Sequence, residues 1–277
     1  ITGFSPITPL QAGSEGSALD LAGVQALLPT TATATFTGGT VQVPVVSWSD
    51  TDSYDSTTAG SYTFTAELGA IPAGYVNPNN YTATIEVVVS APEIRSLTMA
   101  VNPTGAGTTI PVVGSHSYIV GTVVNISATA ATGYEFDKWS GDVANANVSS
   151  TTVTMDTAKT VTANFIPKTF VVSFVANGGT PTPAPINVTF GEAYGTLPVV
   201  TRTGYTFAGW FTADSGGTEV KADTTVSNAS AHTLYARWTA NTYNVTFDSN
   251  GGTPSPTAKN VTFGLAYGTL PTVTRAG

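Results

Sequence analysis

This chain repeats itself, and that limits its possible folds more than any other feature. Gly204-Tyr205-Thr206-Phe207-Ala208-Gly209-Trp210 has a counterpart 71 positions earlier, Gly133-Tyr134-Glu135-Phe136-Asp137-Lys138-Trp139, with the same Gly-Tyr-x-Phe-x-x-Trp skeleton. Each is followed, after a polar stretch, by a short alternating segment, 160–165 in one case and 233–238 in the other. Residues 170–204 and 243–277 align without a gap at an offset of 73. They share Asn-Gly-Gly-Thr-Pro, Asn-Val-Thr-Phe-Gly and Ala-Tyr-Gly-Thr-Leu-Pro. Self-similarity at a fixed period marks small units strung along one chain, each a supersecondary piece that recurs. One large core is thereby excluded in favour of several small ones.

Within the units the hydrophobic period is two. Ala32, Ala34 and Phe36 alternate with Thr, as do Tyr62, Phe64, Ala66 and Leu68, then Tyr81, Ala83, Ile85, Val87 and Val89. Later runs behave alike: Val124, Ile126 and Ala128; Val153 and Met155; Val161, Ala163 and Phe165; Tyr243, Val245 and Phe247. Such alternation predicts strands buried on one face only. Gly38-Gly39, Ala59-Gly60 and Asn77-Pro78-Asn79-Asn80 punctuate them as turns. A single helical turn is predicted within 19–28, with Leu21, Val24 and Leu28 on one side and Pro29 as the stop.

Composition narrows the functional classes. Only 9% of residues are charged, against about a quarter in an ordinary globular chain, so Thr, Ser, Asn and Gly must make the surface. A net charge of −8 leaves nothing to neutralise phosphates, which argues against nucleic acid and against an anionic membrane. Cysteine is absent, so disulfides and thiolate metal sites are excluded. No stretch approaches the about eighteen apolar residues of a membrane span, so no direct membrane insertion is expected. The chain opens without a basic-then-apolar leader and stops within a repeat, which reads as a piece of a longer protein.

Leu28-Pro29, Val46-Ser47-Trp48, Tyr54-Asp55 and Gly60-Ser61-Tyr62-Thr63-Phe64-Thr65 follow one another in an order that resembles the bacterial immunoglobulin-like domains of surface proteins. Gly133 through Asp142 resembles the divergent form of the Listeria–Bacteroides, or internalin B-type, repeat. Val-Ser-Phe, Asn177-Gly178-Gly179, the 204–210 motif and Thr233-Leu234-Tyr235-Ala236-Arg237-Trp238 together resemble its standard form. The expected class is mainly β: a multidomain string of an Ig-like β-sandwich and small grasp-like β repeat modules. The expected divisions are 1–91 for the sandwich, 92–168 for the divergent repeat, 169–240 for the standard repeat and 241–277 for a truncated second copy. Ala91-Pro92 and Pro167-Lys168 read as short linkers.

Candidate chemistry is sparse. Tyr134, Phe136 and Trp139, with Tyr205, Phe207, Trp210 and Trp238, read as structural anchors, because units of about 70 residues have little else large to bury. An aromatic platform for sugar rings is the alternative. Strict alternation from Phe207 puts Trp210 on the opposite face, although Gly209 offers a place for a bulge that would turn it inward. Asn177-Gly178-Gly179 and Asn250-Gly251-Gly252 lack the Lys of a phosphate loop and read as tight turns. Asp50, Asp52 and Asp55 crowd oxygens into one short loop, as calcium sites do. The EF-hand pattern is not met, so a solvated turn is the first reading and calcium the second. His116 and His232 have no partner motif. No nucleophile, paired-carboxylate or His-Glu-x-x-His constellation appears, so no cofactor and no enzymatic activity are expected. The resemblance implies a non-enzymatic stalk and protein- or glycan-interaction module of a bacterial surface protein, working in adhesion. Its partners would be host-surface proteins or glycans, its location the cell surface or wall, and its state monomeric within a longer chain. The alternative is an accessory binding region of an exported polysaccharide-degrading enzyme.

Overall fold

A computed structural model describes residues 1–277. Its elements are almost all strands, as the period of two requires. Backbone contacts divide the chain into two compact units. One is Ile1–Ser96 with Ser117–Thr122 and Met155–Ala158; the other is Leu97–His116 with Val123–Thr154 and Lys159–Gly277.

The first 90 residues contain β1 (Gly3–Phe4), β2 (Leu10–Ser14), α1 (Leu21–Leu27), β3 (Thr31–Phe36), β4 (Gly39–Asp50), β5 (Gly60–Leu68) and β6 (Thr84–Ser90). They run in the order β1-β3-β4-β5-β6-β2. Strand β4 serves two neighbours. Its residues 39–44 pair with β3, and its residues 45–50 pair with β5 after a register shift between Val45 and Ser47. The bend at that irregularity lets the two halves close over one core. Val24, Phe64 and Val87 are fully buried there, with Trp48, Tyr62, Ala66 and Ile85 around them. The Trp48 indole N–H donates to the Pro29 carbonyl at 2.8 Å, so the ring is buried without an orphaned donor. Helix α1 forms where predicted. The Asp20 carboxylate accepts from the Gly23 N–H at 2.7 Å as its N-cap. The expected apolar stripe is only partly realised, since Val24 is buried but Leu21 is 42% exposed. A helix of seven residues is too short to lay a full stripe on the sandwich.

The next segment contains β7 (Ile94–Asn102), β8 (Gly107–Ile110), β9 (Gly114–Ile119), β10 (Val123–Ala130), β11 (Tyr134–Ser140), β12 (Ser150–Thr154) and β13 (Lys159–Pro167). One sheet has the order β11-β13-β7-β9, the other β12-β10-β8. The following segment contains β14 (Thr169–Val175), β15 (Ile186–Thr189), β16 (Tyr205–Phe211), β17 (Glu219–Val220) and β18 (His232–Ala240), ordered β15-β14-β18-β16-β17. The two segments share one plan. Their first and last strands lie parallel side by side, β7 with β13 and β14 with β18. Strands β9 and β11 flank that pair in the first segment, and β15 and β16 in the second. This is a grasp-like arrangement without its helix. Strands β19 (Thr242–Val245) and β20 (Lys259–Thr262) make a two-stranded sheet that repeats the β14–β15 pairing.

Candidate functional site: the aromatic cluster and the joint between repeats

Each repeat is built around the Trp of its Gly-Tyr-x-Phe-x-x-Trp segment. Trp139 and Trp210 are each 2% exposed. Strict alternation would turn Trp210 away from Phe207. A bulge between Phe207 and Gly209 resets the period, so both rings reach one face. The same bulge lies between Phe136 and Lys138 in the earlier copy. Glycine is therefore not what permits it; the extra residue in the strand is, whether Ala208 or Asp137. Phe207 then stands 5.6 Å from Trp210 and 5.3 Å from Trp238, edge to face. Phe136 stands 5.6 Å from Trp139 and 5.9 Å from Phe165, which takes the place of Trp238. The indole N–H groups are satisfied by carbonyls, Trp139 by Val148 at 3.0 Å and Trp210 by Pro198 at 2.9 Å.

The closing aromatic of each repeat lies on a glycine. A Cβ on Gly179 would come within 2.5 Å of the Trp238 ring, and one on Gly107 within 2.4 Å of the Phe165 ring. Trp238 is half-buried, and its N–H reaches the Ala176 carbonyl at 3.0 Å. The Asn-Gly-Gly turn is thus both a tight turn, with Asn177 and Gly178 at positive φ, and a seat for an indole.

Tyr134 and Tyr205 require a correction. They were expected among the anchors of their own repeats, but each faces the repeat that follows. Phe190, just after β15, packs on Gly133 so closely that a Cβ there would lie 2.4 Å from its ring. Tyr134 meets the same ring edge-on at 5.6 Å. One repeat later, Phe263 packs on Gly204, again at 2.4 Å from the position of a Cβ, and meets Tyr205 at 5.5 Å. Gly133 and Gly204, at φ 85° and 80°, each occupy the third position of a turn closed by a 3.1 Å bond, Tyr134 N–H to Ala131 and Tyr205 N–H to Arg202. Backbone bonds complete both joints. Lys168 N–H donates to the Gly133 carbonyl at 2.8 Å while Lys168 O accepts from Phe190 N–H at 3.0 Å. Asn241 N–H donates to Gly204 at 2.9 Å while Asn241 O accepts from Phe263 N–H at 2.8 Å. Lys168, read from the sequence as part of a linker, is tied down on both sides.

The remaining candidates carry little chemistry. A depression of about 530 Å³ is lined by Asn177, Arg202, Tyr205, Asp214, Arg237 and Trp238 among others. Its polar groups are turned on one another. Arg202 donates to the Asn177 carbonyl at 3.0 Å and covers the Tyr205 ring at 4.0 Å, and Asn177 donates to Asp214 at 2.7 Å. Arg237 donates to the Ala213 carbonyl at 3.0 Å and covers Phe211 at 4.0 Å. Asp50, Asp52 and Asp55 do not converge. Asp50 accepts from the N–H groups of Asp52 and Tyr54 at 3.1 and 2.5 Å, and Asp52 from Thr63 N–H at 2.7 Å. Asp55 accepts from Thr57 N–H at 2.8 Å and from the hydroxyls of Thr57 and Thr58 at 2.6 and 2.7 Å. No group of three or more metal-ligating side chains gathers anywhere in the structure. Hydrogen bonds, from the Thr63 side chain foremost for Asp52 and the Thr57 side chain foremost for Asp55, hold both carboxyls below the ordinary value of 3.8. His116 bonds the Val112 carbonyl at 2.7 Å. His232 meets the Tyr194 hydroxyl at 2.7 Å, and burial raises the pKa of that phenol. No helix is long and apolar enough to cross a membrane.

Similarity to known proteins follows these structural divisions. Residues 20–69 match the bacterial Ig-like domain (group 4), and residues 97–169 match the divergent InlB B-repeat domain. Residues 170–237 and 243–277 match the Listeria–Bacteroides repeat domain. A stretch of 51 residues is 47% identical to Internalin H of Listeria monocytogenes serovar 1/2a (strain ATCC BAA-679 / EGD-e). That stretch is 18% of this chain and 9% of that protein, so the chain spans a small part of the relative it matches. Internalin-like repeat domains are typical of extracellular and surface proteins. In chain order, this protein is made of a bacterial Ig-like domain, a divergent InlB B-repeat and two successive Listeria–Bacteroides repeat segments.

Proposed function

We propose that residues 1–277 serve as a non-enzymatic spacer and interaction region of a bacterial surface protein. In this role they carry an adhesive segment outward and offer their own faces to host-surface protein or glycan. One observation carries the reading. Successive repeats follow each other with a single residue between the last strand of one and the first strand of the next, Lys168 between β13 and β14 and Asn241 between β18 and β19. A chain built this way spends its residues on length and on holding modules in series. The buried Trp139 and Trp210 favour this reading over an aromatic sugar platform, because their faces are spent inside the modules.

Surface display tests the reading. A small epitope is placed at the tip of residues 1–277 on a non-adherent bacterium, and compared with the same epitope on the anchor alone. The spacer is expected to make the epitope accessible to antibody-coated beads that the short form cannot engage. Equal accessibility of the two forms would overturn the spacer role. Adhesion to host cells by the displayed chain without any tip would assign the interaction role to these modules themselves.

A further inference from the structure

The two joints are the same object built twice. In each, a Gly-Tyr pair closes a turn and leaves a notch over the glycine, and the Phe of a following Phe-Gly fills it. In each, a single linking residue is bonded on both sides. Nothing in the folding of one module requires this. Phe190 and Tyr205 lie outside the buried cluster of the 169–240 repeat, which is assembled from Val172, Phe174, Trp210, Leu234 and their neighbours. Two bulky rings placed outside the core and matched to glycines in the adjacent repeat are an interface.

We infer that the Gly-Tyr turn is a socket for the next repeat of the same kind, that Phe-Gly at the end of the second strand is the plug, and that the pair fixes the orientation of consecutive repeats. The partner is therefore another repeat carrying Phe-Gly at that place. Glycine at the socket is required twice, because its φ is positive and because a Cβ would occupy the space of the plug ring. Joining by a filled socket and two backbone bonds removes the freedom that a one-residue link would otherwise retain.

The inference also gives the array a direction. The divergent repeat has the socket, Gly133-Tyr134, but at the end of β9, which flanks β7 as β15 flanks β14, it has Val120-Gly121. The backbone there behaves as in the later copies. Val120 N–H donates to the Glu93 carbonyl at 2.8 Å, as Phe190 N–H does to Lys168 at 3.0 Å. Gly121 N–H donates to Met155 at 3.0 Å, as Gly191 N–H does to Val226 at 2.9 Å. Only the ring is missing. The Ig-like domain has a Gly74-Tyr75 turn of the same form, closed by Tyr75 N–H to the Pro72 carbonyl at 3.1 Å, but no ring lies over Gly74 and Tyr75 meets Phe36 of its own domain at 5.0 Å. A repeat with a socket and no plug therefore suits the head of a run.

The proposal rests on the spacer reading for its purpose, though its test is separate. The chain contains no cysteine, so spin labels can be introduced in pairs and their distance distributions measured by pulsed electron resonance. Ser149→Cys with Asp223→Cys spans the first joint, and Asp223→Cys with Ser255→Cys spans the second. All three sites are exposed. Narrow distributions are expected for the otherwise unchanged chain. Phe190→Ala or Tyr134→Ala should broaden the first at least twofold and leave the second unchanged, whereas Phe263→Ala should do the reverse. Retained fluorescence of buried Trp210 reports that the repeat remains folded in each variant. Broad distributions in the unsubstituted chain would overturn the inference, as would narrow ones that survive Phe190→Ala and Tyr134→Ala together. If the distributions behave as stated but the display experiment fails, the joint stands and the spacer role falls.

Discussion

At the scale of single residues, the aromatic side chains divide into two populations that their spacing does not separate. Trp139 is 2% exposed and donates its N–H to a carbonyl, so Trp139→Ala should cost its repeat about 3–5 kcal/mol. Trp238 is half-buried against Gly179 and should cost clearly less. Chemical denaturation monitored by circular dichroism checks both, and an unchanged midpoint for Trp139→Ala would contradict the assignment. Tyr134 and Tyr205 sit in the same motif yet serve the joint. Alternation reports which face of its own strand a residue takes, and says nothing about what the neighbouring module brings to that face. The signal was nevertheless present, since the Phe of Asn-Val-Thr-Phe-Gly recurs just past a strand end, where a core role is hardest to fill. The acidic loop gives a pH prediction. Asp52 and Asp55 titrate below the ordinary carboxylate value because threonine donors favour their charged forms. The stability they contribute is fully present above the unfolded value of about 3.9 and is lost as pH falls through the lower folded values. The first domain's melting temperature should therefore decline below about pH 4, with a shallower decline in the Asp52→Asn, Asp55→Asn double variant. An identical acid slope in both chains would remove these two carboxyls from the account.

At the scale of elements, the strands read from the sequence were legible because their apolar residues alternate, and the helix because its apolar residues fall on one side and Pro29 stops it. The bulges in β11 and β16 were half legible. Gly209 marked the place in one copy, but Lys138 at the matching position of the other shows that the inserted residue does the work. The pairing of first and last strands in parallel was not legible at all, since a period of two fixes faces and leaves order and direction open. That order has a consequence for β19 and β20. In the complete copy, β14 is held between β15 and β18, and Val172, Phe174 and Val188 are buried. Their counterparts Val245, Phe247 and Val261 are only half-buried, and Tyr243, Tyr267 and Val273 are exposed. A two-stranded pair by itself buries too little to offset the ordering of its backbone, so these strands are held chiefly by the joint at Tyr205, Asn241 and Phe263. In the 277-residue chain, hydrogen exchange at Val245, Phe247 and Val261 should run at least tenfold faster than at Val172, Phe174 and Val188. Equal protection of the two sets would show that these two strands fold as firmly as the complete repeat.

At the scale of the whole molecule, stability is held in separate cores. The cluster around Phe64 and Val87, with the side chains packed against it, draws on residues 4–89, and the cluster around Trp210 and Leu234 on residues 170–238. Charge contributes little to either, since 9% of residues are charged and the ion pairs of Glu93 with Arg95 and of Glu219 with Lys221 lie at the surface, where such pairs are worth about 0–1 kcal/mol. A chain with several cores and no shared residue among them should not unfold in one all-or-none step. Trp48 gives the means to test this, because its ring lies in the first cluster and its N–H closes on Pro29. Trp48→Ala should weaken the first domain by about 3–5 kcal/mol and leave the exchange protection of Val172 and Phe174 as it was. Trp210→Ala should strip that protection and leave the amides of Phe64 and Val87 untouched. Both variants unfolding in a single transition, displaced as a whole by either substitution, would mean that the cores are energetically one.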